Sequence, residues 1–133
     1  MKKFTKMCAV AACALFAGTA TVSAEDYVWK SVTAGDATTY GIRSDGSLWS
    51  WGWNEKGQSG NGVSERTATP TLADGNRVWK KTVGGKAYGF FLAEDGSLWA
   101  AGTATNGVQG TNDGVDHKVL TRIGTDNDWA DMA

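Results

Sequence analysis

"DGSLWSWGW", residues 45–53, returns as "DGSLWAAGT", residues 95–103, with two of its three tryptophans replaced. The residues around it keep the same offset of 50. Val28-Trp29-Lys30 matches Val78-Trp79-Lys80, Gly35 matches Gly85, and Gly52, Gly57 and Gly60 match Gly102, Gly107 and Gly110. Trp129 extends the series begun by Trp29 and Trp79. Chance supplies single matches. It does not supply a five-residue run, tryptophans and glycines in one ungapped register. A period of this length marks stacked, equivalent supersecondary units.

Each unit reads as β-structure. Asp45-Gly46 and Asp95-Gly96 sit between apolar runs, the signature of a two-residue type I′ hairpin. That turn pairs Ile42 with Trp49, Tyr40 with Trp51 and Thr38 with Trp53 on one face, and Arg43 with Leu48 and Gly41 with Ser50 on the other. The second hairpin pairs Leu92 with Trp99 and Phe90 with Ala101 on the first face, and Phe91 with Ala100 on the second. A turn longer by one residue would flip every face. Bulk moves between the copies: Trp51 becomes Ala101 while Gly41 becomes Phe91, an exchange that can conserve core volume. Apolar residues on both faces predict neighbours on both sides of each sheet. Pro70, the sole proline, predicts a loop containing one edge strand.

The N-terminus has a different character. Lys2, Lys3 and Lys6 precede an apolar run from Met7 to Ala17, and Val22-Ser23-Ala24 offers small residues for cleavage. This is the three-part pattern of a secretory signal peptide, and its apolar run is shorter than the about 20 residues needed to span a bilayer. A lipobox reading of Val10-Ala11-Ala12-Cys13 is weaker, because the apolar run continues past the cysteine. The expected organisation is a signal peptide over 1–24, one repeat over 25–77, a second over 78–127, and the start of a third over 128–133. Cleavage after Ala24 removes both cysteines and leaves 10 basic against 14 acidic residues, net −4. No basic run remains to track a phosphate backbone, and no second apolar stretch predicts a membrane span.

The stretch "WKSVTAGDATTYGIRSDGSLWSWGWNEKGQSG", residues 29–60, resembles the repeat of the regulator of chromosome condensation family: Trp, Ala-Gly, an apolar strand, Asp-Gly, an aromatic, Trp-Gly, Asn, and Gly-Gln-x-Gly. Residues 79–110 follow it more loosely, with Ala101 for the Trp of Trp-Gly and Ala104 for the Asn. The resemblance implies an all-β fold of four-stranded antiparallel β-propeller blades, here two blades of an incomplete ring. A ring takes roughly four to eight blades. Further repeats or self-association are therefore expected to cover the blade edges, and the chain reads as part of a longer protein.

No catalytic constellation is present. His117 is the single histidine and reads as a solvated loop residue without convergent partners. "TNDGVD", residues 111–116, lacks the spaced acidic ligands of an EF-hand and reads as a turn. Neither metal nor cofactor is expected. The repeated Trp29, Trp79, Trp129, Trp49 and Trp99 read as structural, as do Trp51 of the Trp-Gly pair, Gly35, Gly85, Asp45, Gly46, Gly52, Asp95, Gly96 and Gly102. Trp53 has no counterpart, Thr103 standing in its place, and Tyr88 stands where the first copy has Thr38. Non-repeating aromatics at strand ends are the candidates for contacting a partner, since Trp and Tyr are enriched at binding hot spots. The expected function is a secreted (periplasmic or surface), bacterial-type, non-enzymatic module that binds an unidentified protein. Inhibition of a secreted enzyme and glycan binding are the alternatives, with guanine-nucleotide exchange of the kind found in the family's founder if the chain is not exported.

Overall fold

A computed structural model describes residues 28–133. The signal segment expected over 1–24 lies outside the described residues. Eight strands form two four-stranded antiparallel sheets. The first holds β1 (Trp29–Ala34), β2 (Thr38–Arg43), β3 (Leu48–Gly52) and β4 (Thr67–Asp74), in that spatial order. The second holds β5 (Trp79–Gly84), β6 (Tyr88–Ala93), β7 (Leu98–Gly102) and β8 (His117–Arg122), again in order. Pairing in one sheet is pairing in the other plus 50: Thr38 opposite Gly52 becomes Tyr88 opposite Gly102, and Ile42 opposite Leu48 becomes Leu92 opposite Leu98. Pro70 lies within β4, an edge strand, where a missing N–H costs no ladder bond.

The hairpin turn corrects the expected register. Arg43 N–H donates to the Ser47 carbonyl at 3.0 Å, and Gly46 N–H donates to the Arg43 carbonyl at 2.9 Å. The loop is therefore three residues, Ser44 to Gly46. Gly46 adopts φ 86° and its counterpart Gly96 φ 80°, whereas neither aspartate has positive φ. This is the three-residue hairpin closed by a left-handed glycine, not the type I′ turn. Every face flips accordingly. Gly41, not Ile42, opposes Trp49, and Thr39 opposes Trp51. Tyr40, Ile42, Leu48 and Ser50 share the buried face, and Gly41, Trp49 and Trp51 share the other.

The Asp-Gly-Ser-Leu-Trp run gains a physical reason from this turn. The Asp45 carboxylate accepts the Ser47 N–H at 3.0 Å and the Ser47 hydroxyl at 2.6 Å, and the Trp49 indole donates to that hydroxyl at 2.8 Å. Asp95, Ser97 and Trp99 repeat the relay at 2.9, 2.6 and 2.8 Å. Positions i, i+2 and i+4 of a strand share a face, so the turn aspartate fixes the tryptophan through the serine between them.

The core lies between the two sheets. Tyr40, Ile42 and Leu48 from the first meet Trp79, Phe91, Ala93 and Ala101 from the second. Tyr40 and Phe91 meet edge to face, centroids 5.2 Å apart, and the Tyr40 hydroxyl donates to the buried Gln58 carbonyl at 2.9 Å. Burial raises the Tyr40 pKa and keeps the phenol neutral. Backbone bonds join the sheets: Trp79 N–H to the Gly46 carbonyl at 2.9 Å, and Asp36 N–H to the Gly85 carbonyl at 3.1 Å. A Cβ at Gly35 would meet that carbonyl at 2.6 Å, so the close approach of the sheets requires glycine there.

The exchange between copies is also relocated. Gly41 and Trp51 share one face in blade 1, as Phe91 and Ala101 do in blade 2. Trp29 lies over Gly41, where any Cβ would strike its ring, and packs 5.5 Å from Trp51. Trp79 packs instead 6.1 Å from Phe91. Beyond the shared contact with Trp49 or Trp99, each blade thus keeps one further large aromatic beside the tryptophan of its first strand, supplied by β3 in one and β6 in the other. Phe91 additionally reaches the preceding blade.

Candidate functional site

The loops joining β1 to β2, β3 to β4, β5 to β6 and β7 to β8 emerge on one side of the blades, opposite the Asp-Gly turns. Trp53 begins the β3–β4 loop. Its N–H donates to the Ala37 carbonyl at 2.8 Å, and its carbonyl accepts the Thr38 hydroxyl at 2.6 Å. Gly52, at φ 103°, redirects the chain there because a Cβ would collide with the Ala37 carbonyl. Tyr88 opens β6; its ring lies over Gly85, where a Cβ would clash with it, and meets Phe90 at 5.6 Å.

These two aromatics line one open depression of about 450 Å³, together with Lys86 and with Thr105, Asn106 and Val108 of the β7–β8 loop. The walls come from both blades. The sequence named Trp53 and Tyr88 separately; the structure brings them to one groove. It missed Lys86, although a signal existed, since Asp36 occupies that position in the first copy. Trp53, Lys86 and Tyr88 all stand where the repeats differ, opposite Thr103, Asp36 and Thr38 of the other copy.

The two β3–β4-type loops are held differently. In blade 1, Asn54 is 1% exposed. Its carbonyl oxygen accepts the Ser59 N–H at 2.8 Å and its amide donates to the Val63 and Glu65 carbonyls at 3.0 and 3.2 Å. Blade 2 has Ala104 instead, and Asp116 takes over from outside. Its carboxylate accepts the Ala104 N–H at 2.9 Å and the Thr103 hydroxyl at 3.1 Å, and pairs with Lys56 of the first blade at 3.6 Å. The Ala104 N–H, assisted by these neighbours, holds the Asp116 carboxyl below its usual pKa. The second loop includes a single 3-10 turn, Thr105–Gly107, with Asn106 at φ 60°.

The repeated tryptophans are not among the residues that line the groove. Trp79 is fully buried with its indole donating to Asp74 at 3.0 Å. Trp29, Trp49 and Trp51 are half-buried on the outer face of blade 1, where Arg43 stacks 3.6 Å above Trp49. Trp99 lies beneath Arg77 at 4.1 Å, and Trp129 is 43% exposed. His117 is corrected from a solvated loop residue: it opens β8 and pairs with Asp113 at 2.8 Å. The other Asp113 oxygen accepts the Thr111 hydroxyl and Val115 N–H, the pattern of an Asx turn. Among the described residues, no group of three or more His, Cys, Asp or Glu could hold a metal ion, and no helix is long and apolar enough to cross a membrane.

Residues 29–58 and 45–92 match the Regulator of chromosome condensation (RCC1) repeat. Residues 29–92 carry regulator of chromosome condensation repeats. Human Protein RCC2 is 42% identical over 48 residues, 35% of this chain and 9% of that protein, and the Danio rerio Protein RCC2 homolog is 50% identical over 34 residues, 26% and 7%. Among solved structures, Saccharomyces cerevisiae Prp20p superposes with a TM-score of 0.68 at 20% identity over 78% of this chain and 27% of that one. Human WBSCR16 gives 0.67 at 21% identity over 74% and 26%. The chain thus spans about a quarter of the solved propellers and under a tenth of the curated relatives. At these identities the structural likeness shows the fold, and the two sheets are β-propeller blades.

Proposed function

We propose that this chain is an exported, non-enzymatic interaction module that holds another protein at the groove between Trp53 and Tyr88. The observation that carries the reading is convergence. Three residues that depart from the repeat, one on blade 1 and two on blade 2, line a single depression. Repeated positions serve the fold, so residues that break the repeat and stay accessible are free for another task. A propeller hosts many functions, yet its neighbours support a protein partner: Prp20p was studied for its binding to Gsp1p and histones, and yeast RCC1 was solved bound to Kap60. Export is supported by the three-part N-terminal pattern.

The test is affinity capture from the protein's own compartment with the wild-type chain and a Trp53→Ala/Tyr88→Ala double variant. A protein recovered by the first and lost by the second is the expected result. Equal recovery moves the site elsewhere, and no recovery by either counts against an interaction role.

A further inference from the structure

The groove's hydrogen-bonding inventory says which chemistry it would recognise. The tryptophans of the Asp-Gly-Ser-Leu-Trp runs and Trp79 all have their indole N–H engaged internally, by Ser47, Ser97 and Asp74. The Trp53 indole N–H has no partner among the described residues, nor has the Tyr88 hydroxyl. Lys86, exposed at the same rim, makes no ion pair among the described residues. Lys56, which reaches across from blade 1 to the β7–β8 loop, is paired with Asp116 and is not among the residues lining the groove. Asp116 in turn has its carboxylate taken up by Thr103, Ala104 and Lys56. The groove therefore offers an indole N–H, a phenol and an ammonium, around walls that are mainly carbon. An indole only donates, and so does an ammonium. The complement is an acceptor-rich anion attached to an apolar body.

We infer that the groove takes an acidic peptide segment, with an aromatic or large aliphatic side chain between Trp53 and Tyr88 and an adjacent carboxylate on Lys86. This rests on the reading of the groove as the partner site and adds the partner's chemistry. Aromatic walls supply contact area at low cost in side-chain freedom. The carboxylate supplies selectivity, since a charge-assisted bond is stronger than a neutral one. A neutral sugar would also stack on Trp53, but would leave Lys86 without a counter-charge.

The experiment is a fluorescence-anisotropy titration of the whole chain with four capped peptides, Gly-Phe-Asp-Gly, Gly-Phe-Asn-Gly, Gly-Phe-Lys-Gly and Gly-Ala-Asp-Gly, and with cellopentaose as the neutral sugar. The Phe-Asp peptide is expected to bind best, to weaken about threefold or more on Lys86→Gln or on Asp-to-Asn exchange in the peptide, and to weaken with salt. Lys86→Glu is expected to transfer the preference to the Phe-Lys peptide. Lys86 is exposed, so these variants leave the fold intact. Equal binding of the Asp, Asn and Lys peptides, tighter binding of cellopentaose, or no peptide binding at all overturns the inference. If Trp53→Ala abolishes partner capture while Lys86→Gln leaves it intact, the groove stands as the site and the acidic ligand falls.

Discussion

Blade 1 and blade 2 share a register residue for residue, yet they hold their aromatics and their outer loops by different means. Blade 1 places Trp51 on β3 beside Trp29 and needs Gly41 to make room. Blade 2 places Phe91 on β6 beside Trp79, with Ala101 opposite Gly89. Phe91 faces the preceding blade and packs on Tyr40, while Trp51 is half-buried on the outer face of blade 1. One backbone thus accepts two solutions to the same volume problem.

The comparison breaks most visibly at Phe91. Phe91→Ala removes a fully buried ring shared by both blades and is expected to cost about 3–5 kcal/mol in urea unfolding. Trp51→Ala, on the partly open face, is expected to cost about 1 kcal/mol. Equal losses would show that the two aromatics are equivalent after all.

Next in size is a transplant. Gly41→Phe alone is expected to destabilise by about 1–3 kcal/mol, because its side chain meets the Trp29 ring. Combined with Trp51→Ala, which opens the space that blade 2 leaves at Ala101, the loss should shrink. A double-mutant cycle should return a coupling of at least about 0.5 kcal/mol; strict additivity would contradict the same-face exchange. Asn54→Ala is expected to cost about 1–3 kcal/mol, because it leaves the Ser59 N–H and two carbonyls without their buried partner. Asp116→Ala, on the exposed staple of blade 2, is expected to cost under about 1 kcal/mol, read by the same unfolding curves.

The smallest effect is in acid. The Ser97 hydroxyl and N–H hold the Asp95 carboxyl below its ordinary 3.8. For Asp45, burial opposes the shift, but the two bonds from Ser47, the Asp45 backbone N–H and the charge of Arg43 together outweigh it. A carboxyl depressed in the folded state stabilises above its unfolded pKa and loses that contribution as pH falls through the folded value. Stability is therefore expected to hold down to about pH 4 and to decline below it. Asp95→Asn should flatten the decline; an unchanged slope would remove the relay from the acid response.

The repeat, the strands and the Asp-Gly turns were legible because identity at a fixed offset needs no geometry. The register was not, because Asp-Gly serves both two-residue and three-residue hairpins. What decides between them is the Asp45 carboxylate reaching Ser47, and spacing alone does not show that. Ser47 and Asn54 looked like ordinary polar residues in the pattern, although each is buried and engaged. Trp53 and Tyr88 were legible as departures from the repeat. Their meeting in one groove was not, because it depends on how two blades dock. Lys86 left a trace in its exchange with Asp36, but a charge exchanged between two loop positions carries no sign of the aromatics it will stand beside.

The division between repeated residues that build the blades and divergent ones that line the groove is tested most directly by the unfolding free energies of Trp53→Ala and Trp79→Ala. Trp79, fully buried, is expected to cost about 3–5 kcal/mol or to prevent folding. Trp53 is expected to cost under about 1 kcal/mol, leaving a folded chain whose partner binding can be assayed. A Trp53→Ala variant as damaged as Trp79→Ala would make Trp53 a packing residue and contradict the division.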